Sequence, residues 1–138
     1  MRAAWILALA GLCSAAAPAA ALPIDGLWLT DDHKGVVRIG PCGPNICGWI
    51  VRVLDSGPNV PTHDVNNPLR IFRNRPILGL PVLTGFTPRG NEYAGGNAYD
   101  PKAGRAYRAT LRLGSANVLN VTGCVLVICR TVVWTRTR

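Results

Sequence analysis

The sequence is poor in side chains that carry out chemistry. Its 138 residues hold two histidines and seven Asp plus Glu. His33 belongs to a charged turn with Asp31 and Asp32, and His63-Asp64 precedes a proline-rich excursion. Ser56 and Ser115 sit beside turn residues, without the strained setting that presents a nucleophilic serine to a base and an orienting acid. All four read as solvated or locally bonded surface residues. Asp100, close to Glu92 and Tyr99, reads as a turn-stabilising aspartate before Pro101 rather than half of an acid-base pair. No Cys-x2-Cys occurs, which argues against a redox dithiol. Two Cys-x4-Cys segments do not exclude a four-thiolate zinc site by spacing, and it is export to an oxidising setting that counts against it. Past the N-terminus, no apolar run reaches the roughly 20 residues of a membrane-crossing helix. The chain is therefore not expected to be an enzyme, and no catalytic residue, metal or cofactor is assigned.

What is present begins with an export leader. Met1-Arg2 is positively charged, residues 3–12 are mostly apolar, and Ala19-Ala20-Ala21 fits small-x-small cleavage before Leu22. Residues 1–21 are expected to be removed, leaving 22–138 as one domain. Cys13 is preceded by Leu12, where a lipid-attachment site requires a small residue, so it leaves with the leader and five cysteines become four. An even count suits an oxidising compartment, the periplasm or the exterior. Without Arg2, 14 Lys plus Arg face seven acids, a net charge of +7. That excess permits contact with an anionic envelope polymer, lipid head groups or an acidic protein. Export argues against nucleic acid as the partner.

The domain reads as strands. Residues 107, 109, 111 and 113 are apolar or aromatic and alternate with Arg108, Thr110 and Arg112, a period of two. Further strands are expected at 26–30, 36–39, 47–54, 79–86, 118–122 and 125–134, with Gly95-Gly96-Asn97 dividing the segment after 90. Asn67-Pro68 predicts one short helix near residues 68–75, stopped by Pro76. About eight short antiparallel strands bury their apolar faces by curling into a small closed or nearly closed β-barrel, an all-β fold that also removes exposed edges.

Two matched spacings, Cys42-x4-Cys47 and Cys124-x4-Cys129, supply the staples. Bridged Cα atoms lie within about 7 Å, whereas five extended steps separate them by about 17 Å. Gly43-Pro44-Asn45 can fold the first pair back on itself, but the second needs a reversal within Val125-Leu126-Val127-Ile128, an unpromising turn sequence. Local pairing, Cys42 with Cys47 and Cys124 with Cys129, is preferred. Pairs joining the two segments are the alternative if the last segment runs straight.

The chain resembles a bacterial envelope family catalogued as domain of unknown function 2147. The likeness runs through Gly26-Leu27-Trp28, Val37-Arg38-Ile39, Cys47-Gly48, Asn67-Pro68, Arg73-Asn74-Arg75-Pro76 and Gly79-Leu80. It is densest at Gly95-Gly96-x-x-Tyr99-Asp100-Pro101-x-x-Gly104-x-x-Tyr107, then at Gly123 and the terminal Arg130-Thr131-x-x-Trp134-Thr135-Arg136. What the resemblance implies is a lipocalin-like barrel in the envelope; it brings no reaction with it. A barrel of this size can enclose a small apolar or amphipathic ligand. Trp28, Trp49, Tyr99, Tyr107 and Trp134 are the candidate lining or rim aromatics, and Arg73, Arg75 and Arg130 the candidate cations for an anionic head group. An envelope component with a filled barrel and an interacting outer surface is the competing expectation.

The intact mass of protein purified from its native envelope is expected to begin at Leu22 and to lack four thiol hydrogens. A mass retaining residues 1–21, or four alkylatable thiols, would refute the export reading.

Overall fold

A computed structural model describes residues 11–15 and 23–138. Most of the expected leader and its cleavage site lie outside the described residues. Eight strands follow in chain order: β1 Gly26–Leu29, β2 Gly35–Cys42, β3 Asn45–Val53, β4 Pro81–Arg89, β5 Glu92–Asp100, β6 Arg105–Ser115, β7 Val118–Val125 and β8 Ile128–Thr137. Each pairs antiparallel with its sequence neighbour, and β8 returns to β1 to close the barrel. Among the described residues no helix is long and apolar enough to cross a membrane.

Alternation places the walls. On β6, Ala109 and Leu111 are buried while Arg108 and Arg112 are exposed. On β3, Ile46, Gly48 and Ile50 are buried, and Trp49, on the other parity, is only half-buried. A register shift follows, since Val36 opposes Arg52 but Val37 opposes Ile50. The extra residue, Val51, turns Arg52 outward and Val53 towards the barrel opening, as a β-bulge does.

Three local features differ from the sequence expectation. The helix near 68–75 is a single 3-10 turn, Arg70–Phe72, although the Asn67 side chain does accept the Leu69 amide at 2.9 Å. Gly95-Gly96-Asn97 does not divide a segment; β5 continues through it with a bulge against β6, where the register shifts between Tyr93 and Gly96 and Gly95 takes φ 77°. Gly96 is there for close approach: a Cβ would meet the Phe86 ring at 2.5 Å and the Thr84 carbonyl at 2.6 Å. Finally, the expected strand 125–134 is split, with Leu126 and Val127 forming a two-residue turn between β7 and β8.

Both disulfides are local. Cys42 and Cys47 staple the β2–β3 hairpin at a Cα separation of 5.8 Å, and Cys124 and Cys129 lie opposite each other on β7 and β8 at 4.1 Å. The bend that the second pair needs is supplied by Leu126 at φ 54°, a left-handed conformation unusual for a branched residue.

The barrel is plugged at the end where β1 begins. Trp28 is fully buried and its indole N–H donates to the Ile24 carbonyl at 2.9 Å. The Arg136 guanidinium lies 4.3 Å over the Trp28 ring and donates to the carbonyls of Pro23, Asp25 and Ala116 at 2.7, 2.7 and 2.8 Å. Trp28→Ala is expected to cost about 3–5 kcal/mol in equilibrium denaturation. The half-buried Trp49, truncated likewise, should cost clearly less; equal losses would contradict this division of roles.

Candidate functional site

The opposite end is open. It is framed by the β1–β2 turn, the 54–80 excursion between β3 and β4, the β5–β6 turn and the β7–β8 hairpin. A cavity of about 710 Å³ descends from it into the barrel. Val37, Ile50, Val82, Leu83, Val121 and Val132 supply apolar wall, and Tyr99, Tyr107 and Trp134 add aromatic surface. Gly123 lets Tyr107 pack closely, since a Cβ there would sit 3.3 Å from the tyrosine Cβ. Trp134 is buried, and its indole N–H has no acceptor among the described residues.

The wall is lowest along one side. β1 is four residues long and pairs with β8 only at Thr135, Arg136 and Thr137. Upstream, Arg130, Val132 and Trp134 of β8 line the cavity without a β1 neighbour, facing the lining residues of the β1–β2 turn.

Charge is confined to the mouth and is mostly paired. Lys102 reaches Asp32 at 2.6 Å and Lys34 reaches Asp55 at 3.2 Å. Asp32 is held at a pKa of about 2: burial opposes its charged form, but bonds from Lys102, Thr30 and the Lys34 amide outweigh it. Asp100 accepts the amides of Lys102 and Ala103 and so fixes the β5–β6 turn. Among the described residues no carboxylate lies within ion-pair distance of Arg130, which also lines the mouth. His63 hydrogen-bonds its neighbour Thr62 at 2.9 Å through Nδ1.

A polar cluster seats the long excursion against the barrel. Asp64 is fully buried; it accepts the Tyr99 hydroxyl at 2.6 Å, the Asn67 amide at 2.8 Å and the Arg75 guanidinium at 3.1 Å. Burial alone would raise its pKa, but these three donors take it below the ordinary carboxylate value. Tyr99 is correspondingly pushed up to about 12 by burial and by its bond to Asp64. Nearby, Asn66 donates to the Lys102 carbonyl at 3.0 Å, and Gly104 must be glycine because a Cβ would overlap the Asn66 carbonyl.

Of the eight candidates, Tyr99, Tyr107, Trp134 and Arg130 share the cavity. Trp28 lies at the plugged end and Trp49 on the outer parity of β3. Arg73 donates to the Asn67 carbonyl at 2.8 Å, while Arg75 is bound to Asp64 and stacks 4.5 Å over Phe72; neither lines the cavity. Asp64 was not among the candidates. Its only sequence cue is an acid beside a histidine, because Tyr99 lies 35 residues away.

An eight-stranded antiparallel meander, closed on itself and hollow from one end, is a lipocalin-like barrel. The chain is similar to a solved Helicobacter pylori structure described as "Protein HP1028 from the human pathogen Helicobacter pylori belongs to the lipocalin family", with a TM-score of 0.72, 20% identity and 83% of each chain covered. At that identity the likeness establishes the fold alone. Residues 26–136 match the family described as "Uncharacterized protein conserved in bacteria (DUF2147)", and the chain belongs to that family. No curated protein matches it.

The Asp64 cluster predicts a pH dependence. Because the folded pKa lies below the unfolded one, its stabilisation is complete above the ordinary carboxylate value of 3.8 and fades as pH falls through the folded value. Asp64→Asn should therefore lower stability at neutral pH by about 1–3 kcal/mol and flatten the acid limb of the stability profile. An unchanged acid limb would remove Asp64 from this role.

Proposed function

We propose that this protein is a noncatalytic periplasmic or envelope protein that holds one small apolar or amphipathic ligand in its barrel. The observation that carries the reading is the cavity of about 710 Å³, within the roughly 300–1,000 Å³ range of small-molecule sites. Its wall is aliphatic and aromatic below and charged only at the mouth, a division that suits a molecule with an apolar body and a polar end. Tyr99, Tyr107 and Trp134 are assigned to the ligand's body. The Tyr99 hydroxyl is spent on Asp64, so this residue offers its ring. Arg130 is assigned to an anionic end, because the two lysines at the mouth already face carboxylates. Arg73 and Arg75 are assigned to seating the excursion instead. The two disulfides support an oxidising compartment.

Gentle native mass spectrometry of envelope-purified protein is expected to find a retained small molecule. In titrations followed by tryptophan fluorescence, a fatty acid and the fatty alcohol of equal chain length should both bind. Arg130→Gln should weaken the acid several-fold and spare the alcohol, whereas Val121→Trp should weaken both by filling the wall. No retained molecule and no binding of either probe would leave the filled-barrel envelope component as the better account.

A further inference from the structure

The β7–β8 turn is built against the usual preferences of a hairpin. Two-residue hairpin turns favour Asn-Gly or a similar pair, because their central residues take positive φ. Here Leu126 takes φ 54° and Val127 follows it, with Val125 and Ile128 as the last paired residues. All four side chains are in solvent: Leu126 and Val127 are 94% exposed, Ile128 77% and Val125 48%. The tip therefore contributes nothing to the core, and its backbone carries strain. Cys124 and Cys129 clamp the strands one residue behind it, so the tip is a rigid projection rather than a loose loop. Its last ladder contact with the barrel on the β6 side is Cys124 opposite Arg108.

Its surroundings are cationic. Arg108 stands across from Cys124 and Arg130 follows Cys129, while Arg105, which begins β6 at the same end, stands across from Asp100. Among the described residues none of these three has a carboxylate within ion-pair distance. The excursion held to the neighbouring β5–β6 turn repeats the pattern in miniature, with exposed Leu69 and Ile71 interleaved with Arg70 and Arg73.

We propose that the β7–β8 hairpin is a membrane-docking finger. It inserts Leu126, Val127 and Ile128 among the acyl chains of an anionic bilayer while Arg108 and Arg130 meet the head groups. The geometry favours a bilayer over a protein partner. A stable protein contact buries about 800 Å² on each side around a packed centre, whereas this tip is a narrow convex projection of four residues. Aliphatic side chains immediately backed by cations match the layered chemistry of an anionic interface, apolar inside and negative at its surface. The finger adjoins the low side of the cavity wall, where Arg130 belongs to both features. Docking would thus bring the barrel mouth to the lipid surface.

The test uses the oxidised mature chain and sedimentation with two vesicle types, phosphatidylcholine alone and phosphatidylcholine mixed with phosphatidylglycerol. The wild type is expected to partition onto the anionic vesicles, less so as salt rises. L126S/V127S should lose at least tenfold in partitioning while its binding of the fatty alcohol is unchanged. Because those side chains lie outside both core and cavity, the variant should fold. A Leu126→Trp variant should show a blue-shifted emission on docking. Unchanged partitioning of L126S/V127S, or none by the wild type, would overturn the proposal. So would wild-type self-association that the double variant abolishes, which would mark the finger as a protein contact. Failure of fatty-alcohol binding with docking intact would count against the cavity reading alone.

Discussion

The rest of the barrel depends on how β8 is fastened to β1, because every other strand is already joined to its sequence neighbour. The ladder at that seam has three residue pairs, too few to hold a sheet edge alone. Arg136 makes up the difference: one guanidinium occupies three carbonyls from two separate segments and covers the face of Trp28. Charge-assisted bonds of this kind are among the stronger polar contacts a protein makes. The same group therefore closes the wall and seals the floor, leaving the opposite end free to stay open.

Keeping an open end in shape is a separate problem, since loops without core contacts do not hold a mouth. The buried Asp64 carboxylate solves it by gathering donors from the excursion and from β5 into one cluster. Its charge is tolerable in the interior because three donors meet it. The cavity thus inherits a fixed rim from a group that never touches the cavity's contents, and the arginine nearest that group is unavailable to anything else.

Much of the fold was legible because period-two patterning survives wherever one strand face is wet, as on β6. Gly43-Pro44 advertised its hairpin for similar reasons. Gly95-Gly96 misled because composition cannot separate a glycine that ends a strand from one that bulges it, as Gly95 does at φ 77°, or one that admits a neighbour, as Gly96 does for the Phe86 ring. The cavity was less legible than the barrel. Val37, Ile50, Leu83 and Val121 are the residues a filled core would also use, so whether they meet one another or leave a hollow is decided by strand tilt and register. Arg75 read as an available cation since the carboxylate that binds it, Asp64, lies 11 residues away and meets it only after folding. Arg130, by contrast, has no such partner among the described residues, and nothing in its immediate sequence separated the two cases.

The meander also sets an order of assembly. Seven of the eight ladders join consecutive strands, and the eighth joins segments more than a hundred residues apart. Local hairpins form cheaply, whereas the distant pair must wait until the sheet has curled. Until then β1 and β8 each present an open edge, the form in which a β protein is most prone to pair with another copy of itself. With so short a ladder to finish the wall, the interval before Arg136 finds its carbonyls is the aggregation-prone stage of this barrel's folding.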